Sequence, residues 1–157
     1  MKWILILTLI VVIMLIAFSV SEQYKDKYDF YKNLKLFLNQ LKINISFKQD
    51  KLEKFLNEAK PKKNFKIFIN SYQNYLKTNN FDTSNLILLE NDEKTELANI
   101  VKNIGKFDKN NEIYQLDSFL LNIDEKLKTA QENKTKLCPL IIKLSFLFAL
   151  GLAILLI

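Results

Sequence analysis

The sequence predicts an all-α protein, in which an antiparallel helical bundle is flanked by N- and C-terminal transmembrane helices. In the middle of the chain, apolar residues recur at steps of three and four, which is typical of helices that bury one face. Only two glycines and two prolines occur in 157 residues, so the regular tight turns of a β-sandwich or barrel are missing. A long apolar run at each end predicts the two spans.

Each apolar run is long enough to cross a bilayer. Residues 3–20 carry no charge, and at about 1.5 Å per helical residue they cover most of a hydrocarbon layer ~30 Å thick. Residues 137–157 carry one charge, Lys143, near the start of the run, where its long side chain can reach the headgroups. We therefore predict a transmembrane helix at 1–20, a helical bundle domain at 21–137 and a second transmembrane helix at 138–157.

The first half of the bundle domain contains three predicted helices. The first continues from the span and carries one apolar stripe, at Leu34, Leu38, Leu41 and Ile45. The second is short: Asp50 is its predicted N-cap, Glu53 completes a capping box, and Pro61 ends it. The third begins near Lys63 and ends at Asn79 and Asn80. Its apolar residues, which we expect in the core, are Phe65, Phe68, Ile69, Tyr72 and Leu76.

The second half begins with the short apolar run at residues 86–89, which we predict to be helical although periodicity alone does not assign it. The next helix carries Leu97, Ile100, Val101 and Ile104, and Gly105 follows at its C-cap. The last helix is the most regular and leads into the second span; Lys134 interrupts its register. Its apolar positions form an a/d seam suited to an antiparallel bundle: Ile113, Leu116, Leu120, Ile123, Leu127, Ala130 and Leu137.

The residue inventory argues against catalysis. Histidine is absent, so the familiar Ser or Cys nucleophiles would lack their base and the usual zinc ligand sets cannot form. The single cysteine, Cys138, cannot form an internal disulfide, and no glycine-rich loop can cradle a phosphate. Carboxylates are numerous, notably Asp92, Glu93 and Glu96, and Asp124 with Glu125, but they lie on the polar faces opposite the apolar stripes, which favours a solvated surface. We therefore predict no enzyme activity, no cofactor, no metal and no small-molecule substrate.

The charges predict a solvated helical surface. All 23 basic residues are lysines, and they are interleaved with 17 acidic residues instead of forming a basic groove with stacking aromatics. We therefore predict no nucleic-acid partner.

The distribution of lysines around the spans predicts the topology. Only Lys2 precedes the first span, whereas several lysines flank the bundle side of both spans. These are Lys25, Lys27, Lys32, Lys35, Lys126, Lys128, Lys134 and Lys136. By the positive-inside rule the helical domain is cytosolic, and both chain ends reach the far side of the membrane.

Two alternatives stay open at this point. Met1 and Lys2, the apolar stretch and Ala17-Phe18-Ser19 resemble a signal peptide with its cleavage site, which would give a secreted or surface binding module with a C-terminal membrane anchor. The stretch is longer than a usual signal core, however, and the lysine excess lies on the wrong side. A pore-forming or lysis protein is the other alternative, and such a protein would not require the long regular bundle.

The layout of a span, a helical domain and a terminal span resembles the stage III sporulation protein AB family of endospore-forming bacteria. The first apolar stripe is similar to the family's, as are Phe47 after it and the helix start at Asp50 with Leu52. The pair Ile104-Gly105 followed by Asp108 resembles a second family block. The resemblance covers nearly the whole chain. Departures are Lys51 for a common proline, Val101 for a frequent glycine and Glu112 for a frequent glutamine.

The resemblance implies a non-enzymatic platform or assembly subunit of the channel complex between mother cell and forespore. Such a subunit would lie in the mother-cell membrane facing the forespore and would contact a secretion-type ATPase and other channel subunits. The resemblance assigns no chemistry to any residue. The turn at Gly105, Asp108 and Glu112 is the candidate partner contact, and the competing structural interpretation makes Gly105 a C-cap and Asp108 an N-cap.

Overall fold

The computed structural model describes residues 2–48, 52–58, 61 and 63–156, and all regular elements in these ranges are helical. Helix α1 spans Lys2–Ile43 and is followed directly by a π-helical turn at Asn44–Lys48. Helices α2, α3, α4 and α5 follow at Leu52–Glu58, Lys63–Thr78, Asn91–Asn103 and Lys109–Leu156. The prediction of an all-α fold with long apolar helices at both ends is confirmed.

The chain forms two compact units, and the long helices α1 and α5 contribute to both. The first unit contains Met1–Tyr28 and Lys128–Ile157, and the second contains Asp29–Leu127. The boundaries of the transmembrane helices at residues 20 and 138 remain a prediction.

In the first unit, α1 and α5 pack against each other through small side chains. Ala17, Ser21, Cys138 and Ala149 are all buried. The Cys138 thiol donates a hydrogen bond to the Ser21 carbonyl oxygen, with sulfur and oxygen 3.4 Å apart. Small residues let helix backbones approach closely, which is how transmembrane helices commonly pack.

Lys134, which interrupts the predicted apolar register of α5, has its own partner in this unit. Its Nζ lies 4.1 Å from the centroid of the Tyr28 ring on α1. A cation over an aromatic face is stabilising by ~0.5–1 kcal/mol at exposed sites. The lysine therefore fits the helix pair without taking up a core position.

An aromatic cluster fills the core of the second unit. Phe37 of α1 packs against Phe65, Phe68 and Tyr72 of α3, with ring centroids 6.0, 5.9 and 6.3 Å away in edge-to-face geometry. Such aromatic pairs contribute ~0.5–1.5 kcal/mol each beyond the area they bury. The core positions predicted on α3 are confirmed as far as Tyr72, whereas Leu76 is 38% exposed and lies at the margin.

Helices α1 and α5 run antiparallel in the second unit. Lys35 pairs with Asp124 at 2.6 Å, and Lys42 pairs with Asp117 at 2.5 Å. The two lysines ascend α1 by seven residues while the two aspartates descend α5 by seven, which requires an antiparallel arrangement. The stripe residues of both helices are buried in the core of this unit: Leu34, Leu38, Leu41, Leu116 and Ile123.

The end of the α1 stripe departs from the prediction. Ile45, the last predicted stripe residue, is only half-buried, and Asn44 is buried in its place. The cause is the π-helical turn, whose wider i to i+5 repeat shifts the face that the chain turns inward. The predicted N-cap Asp50 lies outside the described residues.

The predicted helix at residues 86–89 is wrong: the chain forms successive turns there. Asp82 starts them, because its Oδ1 accepts a hydrogen bond of 2.8 Å from the Ser84 N–H. The Leu86 N–H then bonds to the Thr83 carbonyl at 3.0 Å. Four apolar residues are too few to offset the cost of starting a helix, so the local turn prevails. Leu86 is buried, whereas Ile87 is 87% exposed.

These neighbours give a matched test of the core. Leu86→Ala should lower the free energy of unfolding by ~2–5 kcal/mol, because it leaves a cavity in the second unit. Ile87→Ala, one residue away, should change it by less than about 0.5 kcal/mol. Denaturant unfolding of the full chain in detergent, followed by circular dichroism, measures both. Equal losses for the two variants would contradict the described orientation of this loop.

Candidate functional site

The turn between α4 and α5 contains the three candidate contact residues. Helix α4 ends with Ile104 as its C-cap, whose N–H bonds to the Ile100 carbonyl at 3.2 Å. Gly105 follows with a φ of +84°, a left-handed conformation that glycine adopts without steric cost. Gly105 therefore closes α4 and lets the chain turn towards α5.

Asp108 lies immediately before α5 and is exposed. Its carbonyl accepts the Glu112 N–H at 2.9 Å, which is the first hydrogen bond of the helix. Its carboxylate accepts a hydrogen bond from the Asn111 side-chain amide. A negative charge at this position is favourable because the N-terminus of a helix carries partial positive charge.

Glu112 is buried, with 4% of its surface exposed. Its Oε1 accepts a hydrogen bond of 2.8 Å from the Gly105 N–H, so it ties the first turn of α5 to the end of α4. Its Oε2 has no hydrogen-bond partner among the described residues. The structure thus brings Gly105 and Glu112 into direct contact and leaves Asp108 as the exposed acidic group of the turn.

Tyr72 is a further polar residue of this region, which the sequence indicated only as an apolar core position. It is completely buried, and its hydroxyl has no hydrogen-bond partner among the described residues. Burial raises the pKa of Tyr72 above its usual range, and the negative charge of Glu112 raises it further. The hydroxyl is therefore held in its neutral form.

Exposed aromatic residues lie beside the turn. The Lys109 Nζ donates a hydrogen bond of 2.7 Å to the Ser46 carbonyl oxygen, so the start of α5 contacts the π-helical turn. Phe47, next to Ser46, is 83% exposed, and Phe107, two residues before Lys109, is 44% exposed. This end of the second unit therefore offers both apolar rings and the Asp108 carboxylate.

Two of the carboxylates that the sequence offered on α4, Glu93 and Glu96, have structural partners. Glu93 Oε2 accepts the Glu90 N–H at 2.9 Å in a capping box at the start of the helix. Glu96 pairs with Lys126 at 2.7 Å. In the part of the chain that the structure describes, no group of three or more His, Cys, Asp or Glu residues is arranged to hold a metal ion.

Helices α1 and α5 are each long and apolar enough to cross a membrane. Only 17% and 11% of their most apolar windows are buried within the protein. A core helix of a soluble protein would be mostly buried, so the exposure of both windows favours contact with lipid.

Comparison with known proteins identifies a family. The family model described as stage III sporulation protein AB matches residues 2–157. No curated protein and no solved structure matches the chain at a significant level.

The hydrogen bond between Gly105 and Glu112 can be tested by substitution. Glu112→Ala should lower the free energy of unfolding by ~1–3 kcal/mol, because the Gly105 N–H loses its acceptor. Glu112→Gln keeps an acceptor oxygen of the same reach, so it should retain most of the stability. Denaturant unfolding in detergent measures both variants. A glutamine variant that is as unstable as the alanine variant would show that the charge matters and not the hydrogen bond.

Proposed function

The chain belongs to the stage III sporulation protein AB family, and from this premise we propose that it is a non-enzymatic, membrane-anchored platform or assembly subunit of a sporulation channel complex. The observation that carries the proposal is the family match along nearly the whole chain. Membership in this family and two candidate membrane helices together fit a sporulation membrane subunit. A platform acts by binding its neighbours, so its surface matters more than any single reactive group.

In the proposed orientation the second unit lies in the cytosol of the mother cell, and the spans lie in the membrane that faces the forespore. The lysine distribution supports this orientation, because Lys25 and Lys27 follow the first apolar run while only Lys2 precedes it. Lys134 and Lys136 similarly precede the second run.

The proposed partners are a secretion-type ATPase and other membrane subunits of the complex. We place the ATPase contact at the turn around Gly105 and Asp108, with the exposed rings of Phe47 and Phe107 beside it. An exposed carboxylate next to apolar rings suits a moderate, salt-sensitive interface. Glu112 would contribute indirectly, because it holds the turn in place while itself being buried.

The alternative is a secreted or surface module with a cleaved signal peptide and a C-terminal anchor. Cleavage after Ser19 would remove Ala17, which is 3% exposed in the first unit, and most of the apolar segment that precedes Ser21. A buried small residue is typical of a transmembrane helix that packs against another helix. The burial of Ala17 therefore favours retention of this segment over its cleavage. The platform proposal is therefore the favoured one.

The orientation can be tested by labelling introduced cysteines in intact cells after replacing the native thiol with Cys138→Ala. Asn80→Cys should be protected from a membrane-impermeant reagent, and Lys2→Cys should react. Asn80 is preferable to Asn79, whose φ of +55° suits asparagine better than cysteine.

Labelling at position 80 without cell lysis would contradict the cytosolic orientation. Intact mass spectrometry adds an independent readout: a mature chain that begins near Val20 would establish the signal-peptide alternative instead.

The proposed ATPase contact predicts a charge effect at Asp108. Asp108→Lys should weaken binding of the purified full chain to the ATPase roughly two- to fivefold, the scale of one exposed ion pair. Asp108→Asn should keep helix capping and show only the loss of charge. Binding is measured in detergent at two salt concentrations, together with melting.

Asp92→Asn is the matched control, because Asp92 is also an exposed aspartate near the N-terminus of a helix. Equal binding by all three variants would exclude the turn as the ATPase contact.

A further inference from the structure

Two rows of apolar side chains on the second unit point away from its core. On α1, Leu36 and Ile43 are 53% and 54% exposed, and on α5, Tyr114 and Leu121 are 76% and 71% exposed. Each pair is separated by seven residues, so each forms a row along one side of its helix. Single exposed apolar residues are ordinary, but aligned rows of them mark an interaction surface.

The two rows lie on the same side of the unit. Lys35 and Lys42 directly precede Leu36 and Ile43 in the chain, and they pair with Asp124 and Asp117 of α5. The two aspartates each lie three residues from a member of the α5 row and so share its side of the helix. A line of ion pairs therefore runs between the rows and holds α1 and α5 side by side.

The rows are complementary to each other. Ascending α1, this row contains the exposed residues Lys32, Leu36, Gln40 and Ile43. Descending α5, the other row contains the exposed residues Glu125, Leu121, Ser118 and Tyr114. In both rows the charged residue and the two apolar residues are separated by steps of four and seven. Two antiparallel helices with these rows would set lysine opposite glutamate and apolar side chains opposite apolar side chains.

We propose that this outer face, made of Lys32, Leu36, Ile43, Tyr114, Leu121 and Glu125, binds the same face of a second copy of the chain. A twofold axis parallel to α1 and α5 places the α1 row of each copy against the α5 row of the other, antiparallel and in register. Each contact then occurs twice, as in any isologous dimer. The intrachain ion pairs between the rows are neutral overall, so the copies meet without like-charge repulsion.

The matched order of charge and apolar residues is what selects a second copy over an unrelated partner. A strongly acidic or basic partner would find no excess of opposite charge on this face. A copy of the chain supplies both complementary rows at once, with the spacing that each requires.

Size-exclusion chromatography with light scattering on the full chain in detergent tests the proposal. The wild type should be a dimer, and Leu121→Lys should raise the dimer dissociation constant at least tenfold by setting a charge against Leu36 of the second copy. Ile87→Lys is the control, because Ile87 is also exposed in the same unit but lies in the loop between α3 and α4 and not on α1 or α5. Neither side chain is buried within the chain, so melting measured at a dilution where the wild type is monomeric should be unchanged in both variants.

A charge exchange tests the register. Lys32→Glu alone should weaken the dimer, because it faces Glu125 of the second copy, and Lys32→Glu combined with Glu125→Lys should restore it. In vesicles, with Cys138→Ala in the background, chains carrying Leu36→Cys mixed with chains carrying Leu121→Cys should form disulfide-linked dimers. Neither kind of chain alone should do so to the same extent.

A monomeric wild type, a dimer that Leu121→Lys leaves intact, or equal cross-linking in mixed and unmixed samples would each overturn the proposal. Dissociation by Ile87→Lys as readily as by Leu121→Lys would also overturn it, since the contact would then not be this face.

Discussion

The antiparallel pairing of α1 with α5 is the contact on which the other elements depend. In the second unit the leucine stripe of α1 is buried together with Leu116 and Ile123 of α5, and two ion pairs at seven-residue intervals join the helices. Exposed ion pairs contribute little energy, about 0–1 kcal/mol each, so the apolar seam provides the stability and the charges favour one register. The aromatic cluster then forms because the pairing leaves Phe30 and Phe37 of α1 turned towards α3.

One helix must therefore satisfy two environments along its length. In residues 3–20, α1 is apolar on every side, which suits contact with lipid, whereas from Phe30 onward its buried apolar residues form one stripe and Leu36 and Ile43 are exposed on another side. The same change occurs in reverse along α5, where the stripe of residues 113–127 gives way to the run after Pro139, which is apolar apart from Lys143 and Ser145. Each helix thus contributes to both compact units with a different apolar pattern in each.

Periodicity predicted the long helices because it is a repeated signal, and it failed where the signal was short or the geometry unusual. Residues 86–89 are too few to show a period, and the Asp82 turn decided their conformation. Ile45 continues the spacing of the α1 stripe, but the chain forms a π-helical turn there and Asn44 is buried instead. That turn also accepts a hydrogen bond from Lys109 at the Ser46 carbonyl, a contact between residues far apart in the sequence.

The candidate site could likewise be predicted only where the sequence carried a local signal. From the sequence, Gly105 and Asp108 had recognisable local roles at helix ends, and the structure places both at such positions. Glu112 had no local signal for burial, because a glutamate in a first helical turn normally faces water. Glu112 is buried because its side chain accepts a hydrogen bond from the Gly105 N–H at the end of another helix. Tyr72 lies near enough for the charge of Glu112 to raise the pKa of its hydroxyl. Only the folded arrangement brings these three residues together.

The buried residues at the start of α5 also determine which of its residues are exposed. Helix side chains have fixed angular positions, so the residues that face inward determine which residues face outward. Glu112 and Leu116 face the core, and their bonds and packing set the rotation of the first turns of α5. Tyr114, which lies between them in the chain, is thereby turned outward. The hydrogen bond to Gly105 thus positions both the turn that we propose for the ATPase and the first residue of the α5 row that we propose for the second copy, so the two contacts share one structural support while using different side chains.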